Sequence, residues 1–251
     1  MKTRKFILAG LLISLLFLTS CSQKEVTTEQ IKILQNASQT VDDILSKELQ
    51  RLKTLAKKDS VLVGNWEIIK ESLGENESER IKTLYWYSLP DGSYYTSAKG
   101  KVDANLSDRE YFPKLKQGKS VVGYPIIGKT SGRKSIVIAV PVIKEDEVVG
   151  MLGSSIFLED LWIDLKNKVD LPEDYDFYAI NSKGVTIFDL ESKELLLNDT
   201  LEESSTSLVE AVKKIMATEN GKVKYSWNEI EKIAIYNKSK MCDWRYVLSF
   251  R

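Results

Sequence analysis

The sequence has no histidine, and only two of its 251 residues are cysteine. The absence of histidine excludes histidine-based catalytic triads, the commonest general base and most zinc sites. Cys21 belongs to an N-terminal motif described below, which leaves Cys242 as a single thiol without a partner for an internal disulfide. Because Cys242 lies in the apolar segment MCDWRYVLSF, we interpret it as a small core residue and not as a reactive thiol.

The chain also lacks an excess of either charge. It has 36 basic and 36 acidic residues and no long basic run, so we expect no nucleic-acid partner. Hydrophobic residues make up 43% of the chain, which is enough to bury a core in one large domain or two small ones.

Catalytic signatures are missing as well. No Gly-x-Ser-x-Gly, Walker or dinucleotide-binding motif occurs. Ser131 and Lys134 have the Ser-x-x-Lys spacing of penicillin-binding enzymes, but they precede a strand pattern and do not begin the helix that this geometry requires. We interpret the acidic residues 145–147 as a solvated hairpin tip. The sequence therefore predicts a protein that is not an enzyme and that binds no cofactor and no metal.

The N-terminus has the pattern of a secretory signal peptide. The basic start MKTRKF is followed by the apolar run ILAGLLISLLFL, which is too short for an ordinary membrane span. The next residues, LTSC, resemble the lipobox of bacterial lipoproteins, in which the cysteine is lipidated and becomes the mature N-terminus. We predict a signal peptide over 1–20, a lipid on Cys21 and a tether over 21–27; a plain signal peptide with a coincidental cysteine is the alternative.

A long helix is predicted over residues 28–60. Thr27 and Gln30 have the spacing of a capping box, and apolar residues then recur at steps of three, four and seven from Ile31 to Leu55. A helix of this length, about 45 Å, is either a spine against which a domain packs or the seam of a homodimer. The interruption of a strict heptad by Ser38 favours the spine, with a homodimer as a further expectation.

Strand patterns follow in two similar groups. LYWYS and SYYTS flank a Pro-Asp-Gly turn, and SIVIAVPVI and VVGMLGSSIF flank KEDE, so each pair predicts a hairpin. After the amphipathic segment LEDLWIDLKNKV, the scheme repeats with DFYAIN, VTIFDL, a helix in SLVEAVKKIMA and three more strands. This imperfect repeat predicts an α+β protein with a long N-terminal helix and two mainly antiparallel sheets flanked by helices.

The order of these elements resembles the double Cache domain, a PAS-like extracellular sensor module. The resemblance is most specific in DREYFPKLKQGK, YPIIGKTSGRKSIVIAVPV and EVVGMLGSSIFLEDL. It implies a membrane-distal module over 61–168, which usually holds the ligand, and a membrane-proximal module over 169–251.

The resemblance also implies a ligand site. Arg109, Tyr111 and Phe112 match an arginine-aromatic element that contacts a ligand carboxylate, and a guanidinium can bind a carboxylate through two hydrogen bonds. Tyr85 and Tyr87 are expected to add hydroxyls to the pocket wall. The alternative interpretation is structural: Arg109 would pair with a neighbouring acid and order its loop, and the two aromatic residues would pack in the core.

The sequence departs from the amino-acid-binding members of this family. Ser155 stands where those members have an aspartate that holds the ligand amine, and Ala104 and Ile126 stand at two tyrosine positions. An ammonium group would therefore lack its anionic partner. We expect a small organic ligand such as a carboxylate, bound at Arg109, Tyr111, Phe112, Tyr85, Tyr87 and Ser155.

Together these expectations describe a membrane-anchored, extracytoplasmic sensor or solute-binding lipoprotein. It would be anchored to the cell membrane or the outer membrane and would face the periplasm or the exterior. No second apolar span or output domain follows, so we expect a separate transmembrane partner for signalling or transport. The alternative is a ligand-free Cache-fold lipoprotein with a structural or interaction role in the cell envelope.

Overall fold

The computed structural model describes residues 25–74, 81–203 and 205–251, so the predicted signal peptide and the predicted lipidation site Cys21 lie outside the described residues. The helices in this part of the chain are α1 (Thr28–Leu55), α2 (Asp59–Leu62), α3 (Trp66–Gly74), α4 (Phe112–Lys116), α5 (Leu158–Lys168) and α6 (Thr206–Ala217). The strands of the first sheet are β1 (Thr83–Ser88), β2 (Ser93–Thr96), β3 (Gly100–Asn105), β4 (Val121–Ile127), β5 (Lys134–Lys144) and β6 (Glu147–Phe157). Those of the second sheet are β7 (Tyr175–Ile180), β8 (Val185–Asp189), β9 (Asn198–Asp199), β10 (Asn220–Trp227), β11 (Ile230–Lys238) and β12 (Arg245–Phe250).

Helix α1 begins at the predicted capping box. The Thr27 side chain accepts a hydrogen bond from the Gln30 backbone, and the Gln30 side chain accepts one from the Thr27 backbone, so two otherwise unpaired amides are satisfied. The helix ends at Leu55, several residues before the predicted end at 60, because Lys58 adopts an extended conformation and α2 then begins at Asp59. The predicted long helix is therefore a 28-residue helix of about 42 Å.

Both sheets pack against α1. Its buried stripe includes Val41, Leu45 and Leu52, and these residues share one apolar core with Ile138 of the first sheet and Leu248 of the second. The helix is therefore a spine that completes the cores of two modules, as the fold-class prediction required. Ile31 departs from the predicted stripe, since 44% of it is exposed and Gln30 is buried instead.

The first sheet has the strand order β3-β2-β1-β6-β5-β4, and all of its neighbouring strands are antiparallel. One face covers α1. The other face carries a separate apolar cluster that includes Trp86, Tyr111 and Phe112 and is covered by α4 and the chain around it. The two faces are therefore both buried, which explains the near-continuous apolar runs of β5 and β6.

The second sheet has the order β10-β11-β12-β7-β8-β9 and is also antiparallel throughout. Its inner face joins the α1 core, and its outer face packs against α6 through a cluster that includes Tyr178, Val212 and Val247. Two sheets of matching layout after one long helix confirm the predicted α+β fold and its internal repeat.

Cys242 lies before the closing strand and not within it. β12 begins at Arg245, and Cys242 is a half-buried residue of the preceding bend. Burial raises the pKa of its thiol to about 12, and it packs near Gly123 of β4. The predicted role as a small packing residue fits this position.

Candidate functional site

A small cavity lies on the outer face of the first sheet, beside Arg109. Its volume is about 20 Å³. We call it the Arg109 cavity, and its walls are formed by Leu84, Trp86, Tyr94, Thr96, Leu106, Arg109, Tyr111, Ile126, Gly128, Lys129, Thr130, Ser131 and Ser155. No acidic side chain is among these described lining residues, whereas two are cationic.

Arg109 is held by the turn that precedes α4. Its backbone amide donates to the Leu106 carbonyl at 3.0 Å, and its carbonyl accepts from the Phe112 amide at 2.9 Å. The side chain crosses to β4, where Nη2 donates to the Ile127 carbonyl at 2.9 Å. Arg109 Nε is buried and has no hydrogen-bond partner. A buried guanidinium N–H without a partner is costly, so this donor is available to a ligand acceptor.

The neighbouring acids are paired with other cations. Asp108 bonds to Lys129 at 2.6 Å, and Glu110 bonds to Lys183 at 2.6 Å. The hydrogen bond from each lysine lowers the pKa of its carboxyl below the usual value. Among the residues that the structure describes, Arg109 therefore has no carboxylate partner, and the structural alternative of a loop-ordering ion pair is not the arrangement observed.

Tyr111 and Phe112 are both fully buried in the cluster beneath α4. The Tyr111 ring lies between Trp86, at a centroid distance of 6.4 Å, and Tyr124, at 5.3 Å. Burial raises the pKa of the Tyr111 phenol. Tyr111 lines the Arg109 cavity, but Phe112 packs behind it and is not part of the wall. The two residues therefore have different roles: one faces the cavity, and the other supports it.

The structure corrects the placement of Tyr85 and Tyr87, which lie on the opposite face of the sheet. Both side chains belong to the core under α1, and the Tyr85 ring lies 4.4 Å from the Arg51 guanidinium carbon. Trp86, between them in β1, faces the cavity instead. Its indole fits over Gly153 of β6, where a Cβ atom would come within 2.1 Å of it. The glycine opposite thus leaves room for the Trp86 indole on the cavity face.

Ser155 lies in the wall of the Arg109 cavity, and it is 6% exposed. Ile126 and Ala104 stand where amino-acid-binding members of the family have tyrosine. Ile126 also lines the cavity, whereas Ala104 packs against the cluster behind it. Thr96, Lys129 and Thr130 also line the cavity, although no sequence pattern pointed to them. Lys129 and Thr130 belong to a Gly-rich turn, whose direction the sequence does not show.

A larger cleft of about 750 Å³ separates the two modules, and Arg109 also borders it. Glu110 bridges this cleft, because it accepts hydrogen bonds from Tyr124 of the first module and from Lys183 of the second. Deeper in the junction, Trp244 Nε1 donates to the Gly123 carbonyl at 3.1 Å. The wall of the Arg109 cavity is therefore connected through β4 to the second module.

A pair of buried acids lies on the outer face of the second sheet. Oxygen atoms of Asp176, Asp189 and the more exposed Glu191 lie within 4.8 Å of one another. The Lys232 ammonium bonds to Glu191 at 2.9 Å and already supplies a cation to this group. Burial raises the pKa of both Asp176 and Asp189, and the charge of Asp176 raises the pKa of Asp189 further. We interpret the group as a structural network that retains a proton.

This network predicts a pH-dependent effect of Asp189→Asn. In the unfolded chain Asp189 loses its proton above an ordinary pKa of about 3.9, whereas in the folded state it keeps the proton to higher pH. The stability of the fold therefore falls as the pH rises above about 3.9 toward the raised pKa of the folded state. Asparagine keeps the oxygen that accepts from the Glu191 amide at 2.8 Å but cannot ionise. We expect the variant to match the parent near pH 4 and to melt at a higher temperature at pH 8. Circular dichroism melts would test this, with the exposed Asp170→Asn as control; a constant difference at both pH values would contradict it.

Known proteins show the same architecture. An extracellular ligand binding receptor from Desulfohalobium retbaense is 14% identical with a TM-score of 0.71; the match covers 90% of this chain but only 41% of the receptor. The ligand-binding domain of the Campylobacter jejuni chemoreceptor Tlp3, solved with 4-methylisoleucine, is 17% identical with a TM-score of 0.64, and 88% of each chain is covered. The ligand-binding domain of the Pseudomonas aeruginosa amino acid chemoreceptor PctB, solved with L-Arg, is 12% identical with a TM-score of 0.68, covering 88% of this chain and 93% of the other.

At these identities the likeness concerns the fold. No curated protein matches the chain in sequence. Within the described residues, no helix has both the length and the apolar character needed to cross a membrane. A family model of the Cache domain matches residues 19–251, nearly the whole sequence. This match confirms the resemblance inferred from the motifs, and the chain belongs to the Cache domain family.

Proposed function

We propose that this protein is a lipid-anchored extracytoplasmic sensor that binds a small carboxylate in the Arg109 cavity. Cache domains are sensory ligand-binding modules, and relatives of this fold have been solved with amino acids bound. The observation that carries the proposal is that Arg109 borders the cavity and has a buried Nε without a hydrogen-bond partner among the described residues. An anionic ligand would supply the missing acceptor.

The same cavity disfavours an α-amino acid. Its described lining residues include no acid, and Ser155 offers only a hydroxyl where an ammonium would need a negative charge. Two cationic side chains, Arg109 and Lys129, favour anions further. We infer that the ligand carries a carboxylate and no neighbouring ammonium group.

The anchor and the partner follow from the sequence motifs. LTSC supports lipidation of Cys21, and a lipid anchor alone cannot transmit a conformational change across a bilayer. The proposal therefore includes a separate transmembrane partner, which would respond when ligand binding favours one arrangement of the two modules. A homodimer remains a prediction from the long helix.

Ligand-induced changes in melting temperature would test the proposal. The full chain in mild detergent would be melted by tryptophan fluorescence with acetate, propionate, lactate and succinate, and separately with glycine, alanine and isoleucine. A ligand at 100 times its Kd adds about 2.7 kcal/mol of stability, which raises the melting temperature by about 5–10 °C for a chain of this size. We expect such a shift with a carboxylate, its loss in Arg109→Met, and its retention in the exposed control Lys119→Met.

The second candidate is a ligand-free interaction lipoprotein of the cell envelope. The small volume of the Arg109 cavity, about 20 Å³, favours it. If no carboxylate shifts the melting temperature, and Arg109→Met only lowers the stability of the unliganded chain, this second function replaces the first.

A further inference from the structure

The Arg109 cavity is small. A cavity needs about 10–15 Å³ to hold one water molecule, so a cavity of about 20 Å³ cannot admit a small carboxylate as it stands. Some part of its wall must move before a ligand can enter. The sheet strands β1 and β6 are paired on both sides and cannot supply that movement, so the moving part belongs to the loops.

The turn 128–133, between β4 and β5, lines the cavity through residues 128–131, and it has internal backbone hydrogen bonds as well as bonds to the rest of the module. The Gly128 amide donates to the Arg133 carbonyl at 3.0 Å, and the Gly132 amide donates to the Gly128 carbonyl at 2.8 Å. Gly132 has a φ of +67°, and apart from its chain neighbours none of the described residues lies within 4 Å of where its Cβ would be. The turn can therefore tilt as a unit without breaking its own backbone bonds.

Three side chains hold this turn against the rest of the module. Arg133, at the end of the turn beside β5, bonds to Asp160 at 2.5 Å and to Glu159 at 3.3 Å, and its guanidinium carbon lies 3.8 Å from the centre of the Phe157 ring. The Thr130 hydroxyl bonds to the Tyr94 hydroxyl at 2.8 Å. Lys129 Nζ donates to the Asn105 carbonyl at 2.7 Å and to the Asp108 carboxylate at 2.6 Å. Asn105 and Asp108 belong to the segment that carries Arg109, so Lys129 ties the turn directly to the ligand-binding loop.

We propose that the turn 128–133 is a lid over the Arg109 cavity and that Lys129 is its latch. This inference rests on the proposed function, since a lid has a role only if the cavity takes a ligand. Release of Lys129 from Asp108 and Asn105 lets the turn tilt away from Tyr94 and exposes the cavity. The freed ammonium then lies at the entrance, where it attracts an anion toward Arg109.

The latch is weak enough to open. The Asp108 side chain is largely exposed, and exposed ion pairs change an equilibrium only by about 2- to 5-fold. Salt screens such pairs, so the open population should rise with ionic strength.

Thiol labelling of a cavity residue measures lid opening without any ligand. Ser155→Cys places a thiol of nearly the same size in the cavity wall, and N-ethylmaleimide labelling at this position would be followed by peptide mass spectrometry in the full chain. Adding Lys129→Met should raise the labelling rate about 2- to 5-fold in 20 mM NaCl, because methionine keeps the side-chain length but cannot pair with Asp108. The control Lys119→Met should leave the rate unchanged. Raising NaCl to 0.5 M should accelerate labelling in the parent and leave the Lys129→Met chain unaffected.

Equal labelling rates at low salt in the Ser155→Cys chain and in its Lys129→Met derivative would overturn the latch. If Ser155→Cys does not fold, hydrogen–deuterium exchange of the 128–133 peptide in the parent and in Lys129→Met decides the matter: faster exchange in the variant supports the lid, and identical exchange overturns it. The two proposals fail separately. A carboxylate-induced melting shift with no latch effect retains the function and removes the lid, whereas a latch effect without any ligand shift retains the lid and removes the carboxylate ligand.

Discussion

Asp42→Ala is expected to lower the melting temperature by about 6–12 °C. Asp42 is only 5% exposed, and its carboxylate accepts hydrogen bonds from Tyr246 Oη at 2.6 Å, Ser239 Oγ at 2.6 Å and the Lys240 amide at 2.9 Å. Each hydrogen bond to a charged group contributes about 1.5–3 kcal/mol, and the alanine leaves three donors without their acceptor. A loss of about 3 kcal/mol or more follows, and each kcal/mol corresponds to about 2–4 °C at this chain length.

The next residue along the chain supplies the control. Asp43 carries the same charge on the same helix, but it is exposed and accepts only from the Gln39 side chain. Asp43→Ala should change the melting temperature by little. Comparable losses in the two variants would show that the effect comes from the charge of α1 and not from the bonds between α1 and the second module.

Gly123→Ala is expected to have a similarly large effect, about 3 kcal/mol of stability. Gly123 has a φ of +70°, where a residue with a Cβ costs about 1–2 kcal/mol. The new Cβ would also lie 2.9 Å from the Trp244 ring and 3.1 Å from Cys242 Sγ. Trp244 is fully buried, so its ring has little room to move, and overpacking of this kind costs about 1–3 kcal/mol.

Gly132→Ala separates these two causes. Gly132 has nearly the same φ, +67°, but has open space around its Cβ position, so only the conformational cost should remain. Urea denaturation of both variants gives the comparison. A smaller side chain at the junction, in Gly123→Ala combined with Trp244→Phe, should destabilise by less than the sum of the single changes. Equal losses in Gly123→Ala and Gly132→Ala would contradict the close contact between the modules.

The sequence predicted where helices and strands lie better than it predicted which face of a sheet each side chain occupies. The capping box of α1 and the hairpins around Pro-Asp-Gly and KEDE are local signals, and each appeared where expected. The strand LYWYS, however, is apolar on both sides, so alternation shows that Tyr85 and Tyr87 share a face without showing which one. Room for the Trp86 indole comes from Gly153, which lies across from it in β6 and is distant in sequence.

The edge strands were missed for a different reason. β3 has the sequence GKVDAN, which lacks the composition of a strand, and in β4 Gly123 and Pro125 interrupt the strand pattern. Both lie at the edges of the first sheet, where proline and polar residues are tolerated because one side of the strand is unpaired. β4 carries Ile126 in the cavity wall, and its position could not be derived without the fold.

Long-range pairing also decided the surroundings of Arg109. The sequence offered Asp103, Asp108 and Glu110 as partners because they are close along the chain, and residues 106–111 form turns and bends. Lys129 and Lys183, distant in sequence, take Asp108 and Glu110 instead. The unpaired state of Arg109 Nε is therefore a property of the tertiary structure alone.

The position of β12 has a consequence for how the protein assembles. The first sheet is complete once β6 has emerged, but β12 fills the gap between β11 and β7 in the second sheet. Because the chain is synthesised from its N-terminus, β7 lacks its β12 neighbour until about 65 further residues, from Ile180 to Arg245, have been made. During that interval β7 and β11 expose strand edges that other chains can pair with. Slow or incomplete delivery of the last strand should therefore increase aggregation through the second module.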